Sequence, residues 1–486
     1  MMNPNLVFPG HFKNLTIGIH SIWHCPISTL NRDRSGTPKT ITFGDVPRVI
    51  VSSACRKRSW RMSQGLSDIN TSVRSNFLAR LICDGVTDPV KIARVDLVLQ
   101  SIGLGAKENE KENDDTAPTA SKSKGKKSKK GKKGDTNVIP DAPTIDPDAI
   151  VASVDEDSEV DDSIEAKRGK APLLFDGAVV PAMRALLFDT FLSDLEVCHR
   201  IVDLIAGSIS FDIMMVGRQI IPSGSPKAWE GKPTIVEPTA IIAPLFTTHH
   251  AYPENEAFIA GDDLIGQYGN GSRGAGHMGS RRTASGCFYG YGQFGMRTLH
   301  DTASMYYPGD FESIVDKTGR SIREFIMEPI SSGLQNSGHH TYPSGVLISI
   351  AYGRYNRPLA NAFSKPCVAG PNNDLVGNSI CALANEANQY TRFDGLPSRL
   401  IWVSMSGEPL RTSNGRIICD INLDCIDDAI GEITSALRSE PQMFTYKDRV
   451  KRQPMPAPTI SRVSYEEIPV GGSEPVAVTA AAEKEG

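Results

Sequence analysis

Polar and apolar positions alternate over residues 15–23 (LTIGIHSIW), and the β-branched content there predicts a strand. Residues 48–51 (RVIV) form a second short apolar run that fits a strand or a strand end. Ser52 and Ser53 then open the stretch ACRKRSWRM, which reads as a helix behind a good N-cap. Over residues 180–207 the period becomes helical and amphipathic, enough for one or two helices. From Ser210 onward Gly and Pro recur between short apolar runs, which predicts β structure with long exposed hairpin loops. Residues 345–352 (GVLISIAY) read as a strand and residues 425–437 (CIDDAIGEITSAL) as a terminal helix. No internal repeat is evident. The class is α+β, a sheet domain split by a helical insertion.

Two stretches break this pattern. Residues 105–170 carry eight lysines between Lys122 and Lys133, in a half without apolar residues large enough to anchor a core, then nine carboxylates and no basic residue between Asp146 and Glu165. Such blocks cannot offset the entropy of ordering, so the segment is expected to be a flexible insertion. Its basic half also suits nucleic acid. The tail from Ile468 onward is expected to be disordered.

Composition changes this picture little. The 486 residues are 40% hydrophobic and 22% charged, ordinary for a soluble protein, and no run reaches the ~20 apolar residues of a spanning helix. With no basic-then-apolar signal pattern at the N-terminus, a cytoplasmic location is expected and no membrane partner. Nine scattered cysteines without a CxxC pair indicate neither a disulfide framework nor a zinc site. The net charge of −4 argues against nucleic acid as an average, but it sums opposite blocks.

Candidate chemistry concentrates in cations beside hydroxyls. Asn31, Arg32 and Asp33 are followed by Lys39, Arg48 and the basic stretch from Ser52 to Arg61. On a helix Lys57, Arg58 and Arg61 share one face, while Ser52 and Ser53 sit where free N–H groups can receive a phosphate. Four cations in six residues without an acidic partner at helical spacing repel one another unless something anionic compensates. Further on, Gly217 permits close backbone approach and Arg218 can stack on a base or pair with a phosphate. The glycine-rich loop 269–279 matches neither phosphate-cradling motif. No cofactor is expected. Nor is metal: His249–His250 and His339–His340 are adjacent pairs whose side chains diverge on a strand. Asp262 and Asp263 carry no mark of a catalytic pair, and no nucleophile elbow occurs.

In order and spacing, several segments resemble CasC, the family of repeated backbone subunits of the type I-E CRISPR Cascade surveillance complex. They are LNRD, Lys39, Phe43–Gly44, RVIVSS and Lys57–Arg58, then DIMMVGR, TTHH, FIAGDDL, GHMG and LANAF. The resemblance implies an RRM-like (ferredoxin-like) palm split by helical fingers, with a β-hairpin thumb. On that division residues 1–66, 210–300 and 301–467 hold palm and thumb, 67–209 the fingers, and 468–486 the tail. It implies copies stacked head to tail along a CRISPR RNA guide that each thumb kinks, with base pairing to target DNA supplying specificity. Other Cascade subunits and a separate helicase-nuclease are implied partners.

Carried over by position, Asn31, Arg32, Lys39, Ser52, Ser53, Lys57, Arg58 and Arg61 would line the palm groove, and Gly217, Arg218 and Gln219 would lie at the kink. Phe258 and Met278 would brace it from the thumb, near Arg281 and Arg282. Lys126, Lys127, Lys129 and Lys130 fall where the fingers would hold target duplex. Three departures stand out: Ala54 where the family has glutamine, Gln219 where methionine is usual, and Ala257 in place of an aromatic. The chain is therefore expected to be a non-catalytic RNA-binding backbone subunit. Two alternatives are a type III-like subunit cutting target RNA through Asp33 and a monomeric RRM-like RNA chaperone.

Overall fold

The computed structural model describes residues 8–105, 172–224, 226–260, 277–327, 341–370 and 373–452. Strands β1 (Leu15–Ser28), β2 (Thr40–Phe43) and β3 (Val46–Val51) precede helix α1 (Ser53–Arg61). An inserted segment follows, comprising β4 (Ser72–Ser75), α2 (Leu78–Ile82), α3 (Pro89–Ser101), β5 (Leu173–Asp176), α4 (Val180–Phe188) and α5 (Asp194–Gly207). Helix α6 (Phe211–Val216) leads into β6 (Arg218–Gln219), β7 (Ile235–Val236), β8 (Ala240–Ile242) and β9 (Leu245–Thr247). Then come β10 (Glu254–Ala260), β11 (His277–Gly295), α7 (Met296–Tyr306), α8 (Phe311–Met327) and β12 (Pro343–Tyr352). The described chain finishes with α9 (Leu375–Asp394), β13 (Ser398–Ser404), β14 (Ile421–Leu423), α10 (Ile426–Arg438) and α11 (Tyr446–Arg452).

One large mixed sheet organises these elements, in the order β14-β13-β12-β1-β11-β9-β3-β2, with β8 and β10 also paired to β11. β1 lies at its centre, antiparallel to β11 (Ile17 opposite Phe294) and to β12 (Ile17 opposite Ile350). Its first nine residues are all buried because both faces of the sheet are covered. Leu15, Ile17 and Ile19 meet α7, α8 and α10 on one face. On the other, Ile22 joins Tyr289, Tyr291, Leu347, Trp402 and the α9 residues Leu383, Ala384 and Ala387. The predicted alternation is thus real, but it separates two cores instead of core from water.

The inserted segment has a core of its own. Val95, Val98 and Leu99 of α3, Met183 and Leu187 of α4, and Val197, Ile201 and Ile205 of α5 close around Phe175 and Trp229. Residues 180–207 form two helices, as their period allows. Two expectations need correction. The first element after Ser210 is the helix α6, not a strand, and α10 is not terminal, since α11 follows it. Arg449 anchors α11 by pairing with buried Asp420 at 2.7 Å and donating to the Ser398 carbonyl at 2.6 Å.

Close approach fixes one turn. β2 and β3 meet at Gly44 and Asp45, both left-handed (φ +62° and +61°), as a tight two-residue hairpin requires. A Cβ on Gly44 would run into the Ser364 carbonyl, so glycine is needed there for space as well as for φ.

Candidate nucleic-acid interface

The loop between β1 and β2 is closed by its own backbone. Asp33 N–H donates to Thr37 O at 2.8 Å, Lys39 N–H to Asn31 O at 2.8 Å, and Ile50 N–H to Lys39 O at 2.9 Å. Asn31 adds a side-chain tie, its Oδ1 accepting from Ser52 N–H at 3.0 Å, so the loop is fastened to the start of α1. Asp33 Oδ1 accepts from Ser35 N–H, Ser35 Oγ and Thr37 N–H at 2.9, 2.7 and 3.0 Å. The Ser35 hydroxyl is the main reason its carboxyl is held below the usual range. One oxygen of Asp33 is therefore committed to shaping this turn.

Helix α1 sorts its cations by direction. Ser52 caps it, its hydroxyl accepting from Cys55 N–H at 3.3 Å, which leaves the Ser53 and Ala54 N–H groups at the open end of the first turn. Arg56, Ser59 and Trp60 face inward. Arg56 is fully buried: Nη1 donates to Ala243 O at 2.7 Å and Tyr291 O at 2.9 Å, and the guanidinium lies 4.9 Å from the Phe325 ring centre. Burial lowers its pKa to about 10, so it stays charged at neutral pH. Arg61, expected in the groove, turns instead to the inserted segment, donating to Ser72 O at 2.9 Å and Ser72 Oγ at 3.2 Å. Ser72 Oγ in turn donates to Asp212, which also accepts from Ser210 Oγ at 2.6 Å. The repulsion noted in sequence is thus relieved within the protein at Arg56 and Arg61. Arg58 is exposed and Lys57 half-buried, with burial lowering the Lys57 pKa.

Beside this junction stands a two-stranded ribbon, β10 paired with the first half of β11. Its side chains from Glu254 to Ile259 are all exposed, so it stands off the body. The register puts Phe258 opposite Gly279 and Ile259 opposite Met278. Directly opposite residues share a face, so Phe258 and Met278 lie on opposite faces. The two residues expected to brace the kink therefore do so, in that reading, from opposite sides of the ribbon. Phe258 covers Gly279, where any Cβ would strike its ring, while Met278 shares its face with Ile259, both about two-thirds exposed. Sequence reading passed over Ile259, although the alternation of the ribbon marks it. At the root Arg281 pairs with Glu256 at 2.8 Å, and Arg282 Nε donates to Asn255 Oδ1 at 3.0 Å. The Arg282 carbonyl accepts from Thr29 Oγ1 at 3.5 Å, which ties ribbon to loop.

Loop, helix start and ribbon root therefore converge, bringing together Asn31, Arg32, Lys39, Ser52, Ser53 and Arg282, while Lys57 and Arg58 lie farther along α1, Arg58 in its last turn. Arg48 is not part of this surface. It is buried and donates to the carbonyls of Phe43, Thr247 and Phe363 at 3.1, 3.0 and 2.9 Å.

The Gly217 turn is built differently. Gly217 ends α6 with φ +79°, and a Cβ there would meet Pro238 and the Val236 carbonyl at 3.0 Å. The expectation that Arg218 reaches a phosphate or a base is corrected by its burial. Its Nη1 donates to Ile205 O at 2.7 Å and to Ser208 O at 3.4 Å, and its Nη2 to Ala206 O at 3.3 Å, so it caps the C-terminus of α5. Gln219 is exposed at the mouth of an open groove lined also by Ile235, Glu237 and Pro238.

His249 is half-buried, with burial lowering its pKa, and His250 is exposed with its ring 4.5 Å from Tyr252. Among the described residues no cluster of three metal-ligating side chains occurs. Asp262, Asp263, His339, His340 and Lys126, Lys127, Lys129 and Lys130 lie outside the described residues.

Comparison with solved structures finds the same fold in a chain of a "CRISPR RNA-guided surveillance complex, pre-nicking", with TM-score 0.62 and 19% identity over 87% of this chain and 100% of that one. A chain of a "CRISPR RNA-guided surveillance complex" gives TM-score 0.52 and 17% identity over 87% and 99%. No curated protein matches. The family model described as CT1975-like protein matches residues 17–420, across the sheet, the inserted segment and the ribbon, and the chain belongs to that family.

Proposed function

We propose that this protein is a non-catalytic RNA-binding backbone subunit of a CRISPR surveillance complex of the type I-E kind. The observation that carries the reading is a cationic surface around the start of α1, with Arg32 and Lys39 on the loop fastened there and Lys57 and Arg58 farther along the helix, beside a standing ribbon that exposes Phe258, Ile259 and Met278. Cations and free N–H groups in that arrangement suit a phosphate backbone and carry no code for bases. The fold shared with chains of CRISPR RNA-guided complexes adds support.

In this reading the large sheet is an RRM-like palm, the inserted segment the fingers and the ribbon the thumb. Copies stack head to tail in the cytoplasm along a CRISPR RNA guide, together with other Cascade subunits. The guide kinks at the ribbon, and its exposed bases pair with target DNA, which a separate helicase-nuclease destroys. Lysines 126, 127, 129 and 130 steady the duplex. Arg61 and Arg218 act from behind the surface by holding the inserted segment in place.

The test is the nucleic acid that copurifies with the intact protein. A uniform, repeat-derived small RNA carrying several protein copies by native mass spectrometry is the expected result. Heterogeneous RNA on a monomer would overturn the reading. Incubation with complementary RNA and a divalent cation is expected to leave that RNA whole; periodic cleavage lost in Asp33→Ala would make the protein a nuclease instead.

A further inference from the structure

A second cationic surface lies at the far end of the sheet. The register puts Tyr352 opposite Leu15, at the start of β1, whereas the Asn31 loop leaves from its other end. β1 is 14 residues long, about 45 Å at the ordinary rise of a strand, so the two surfaces are separate. Two segments meet there, residues 353–358 after β12 and residues 392–397, the end of α9 with its connection to β13.

Arg354 locks these segments together. Its guanidinium pairs with Asp394 and donates to the carbonyls of Leu396 and Pro397 at 3.5 and 3.3 Å. Gly395, at φ +67°, ends α9 in the left-handed conformation. On this fixed frame Phe393 is 92% exposed and Tyr355 69%. Arg392 precedes Phe393 and Arg357 lies two residues after Tyr355, both exposed and without an ion-pair partner among the described residues, while Asp394 pairs with Arg354. A third cation stands close by. Arg452 lies 3.7 Å over the Phe444 ring, and Phe444 pairs through its backbone with Ser398, next to Pro397.

An exposed phenylalanine contributes nothing to folding, and here two exposed aromatic side chains share a junction with exposed guanidiniums. Their exposed neighbours are Arg, Pro and Gly, with Leu396 the one exposed aliphatic side chain among the described residues of the two segments. That is a poor apolar dock for a protein. It does match what a single strand needs: aromatic faces for bases and cations for the phosphates between them.

We infer that this patch is a second binding site, for single-stranded nucleic acid, with bases stacked on Tyr355 and Phe393 and phosphates paired with Arg357 and Arg392. It stands apart from the proposed guide surface and does not depend on it.

The test uses the full chain carrying Lys57→Ala and Arg58→Ala, so that binding through α1 is weakened, and a fluorescent 15-nucleotide oligothymidylate containing 5-bromodeoxyuridine. Photo-cross-links are expected at Tyr355 and Phe393. Adding Tyr355→Ala and Phe393→Ala together should weaken binding about tenfold or more with an unchanged melting temperature, while Phe393→Trp preserves it. Arg357→Gln with Arg392→Gln should lower the salt slope by about 1.4, two phosphates' worth for a single strand. Affinity unmoved by the aromatic double substitution, or cross-links confined to residues 31–61, would overturn the assignment. So would a poly-glutamate peptide that binds the patch when the oligothymidylate does not, since the site would then be a protein-docking surface.

Discussion

The start of α1 and the turn at Gly217 look alike in sequence, each setting arginine beside a small residue, yet the protein uses them in opposite ways. At α1 the nearby backbone groups are N–H donors, which repel a guanidinium and suit an anion. Arg58 faces solvent from the last turn of the same helix. At Gly217 the nearby groups are the carbonyls of Ile205 and Ala206 at the end of α5 and of Ser208 just after it, and Arg218 is drawn inside to satisfy them. The carbonyl oxygens that other segments bring to a cation, more than its spacing along the chain, decide whether it is presented or enclosed. Arg56 and Arg61 follow the same rule, each spent on carbonyl oxygens of neighbouring elements.

The largest effect should come from breaking the enclosed side. Arg218→Ala leaves three carbonyls without their donor in a buried site. Loss of the charged hydrogen bonds should cost about 3 kcal/mol, measured as a fall in urea midpoint. If Arg218 instead contacted RNA, the variant would keep its stability and lose affinity, and the comparison would fail.

His20 extends the comparison to an enclosed base. Its Nδ1 lies 3.0 Å from Tyr289 Oη in the core, and burial alone lowers its pKa from 6.5 to about 3. The unfolded chain takes up a proton below about pH 6.5 and the folded chain does not, so stability should fall as pH drops from there toward 3. His20→Gln should flatten that part of the stability curve in urea titrations at a series of pH values. An unaltered curve would mean that other groups govern it.

A smaller effect separates capping from ligand binding at one residue. Ser52→Ala removes the hydroxyl that accepts from Cys55 N–H and should cost about 1 kcal/mol of stability by thermal melts. RNA affinity measured well below the melting temperature should stay within twofold, because the N–H groups of the first turn remain. A large affinity loss without a change in stability would make the hydroxyl itself a ligand-binding group.

Much of the fold was legible in sequence because the deciding signals are local. The cap at Ser52 and the paired helices over residues 180–207 follow from residue type and period. Helix α9 was not legible, since what it buries includes Ser379, Ala384, Ala387 and Thr391, too small or polar to form an apolar stripe. The two faces of the ribbon were hidden for another reason. Placing Phe258 opposite Gly279 requires the pairing register, which the sequence leaves open while the turn joining the strands is unknown. Among candidate site residues the type of side chain was readable and its direction was not. Arg56, Arg58, Arg61 and Arg218 are equivalent on paper, and only the carbonyls around them, brought in from distant segments, tell them apart.

The smallest change in stability should accompany the clearest change in binding. Lys57→Ala with Arg58→Ala removes one half-buried and one exposed cation, and the melting point should move little, within about 0.5 kcal/mol of wild type. The salt dependence of RNA binding should lose about 1.4 units of slope, evenly across RNA sequences, if both cations meet phosphates. Arg61→Ala is the matched control, since it lies on the same helix and differs in what it touches. Its loss frees Ser72 and weakens the tie to Asp212, so it should lower stability by about 1–2 kcal/mol and leave the slope where it was. An equal loss of slope in Arg61→Ala would mean that nucleic acid draws this side chain out of its internal bonds. The division between presented and enclosed cations would then describe only the free protein.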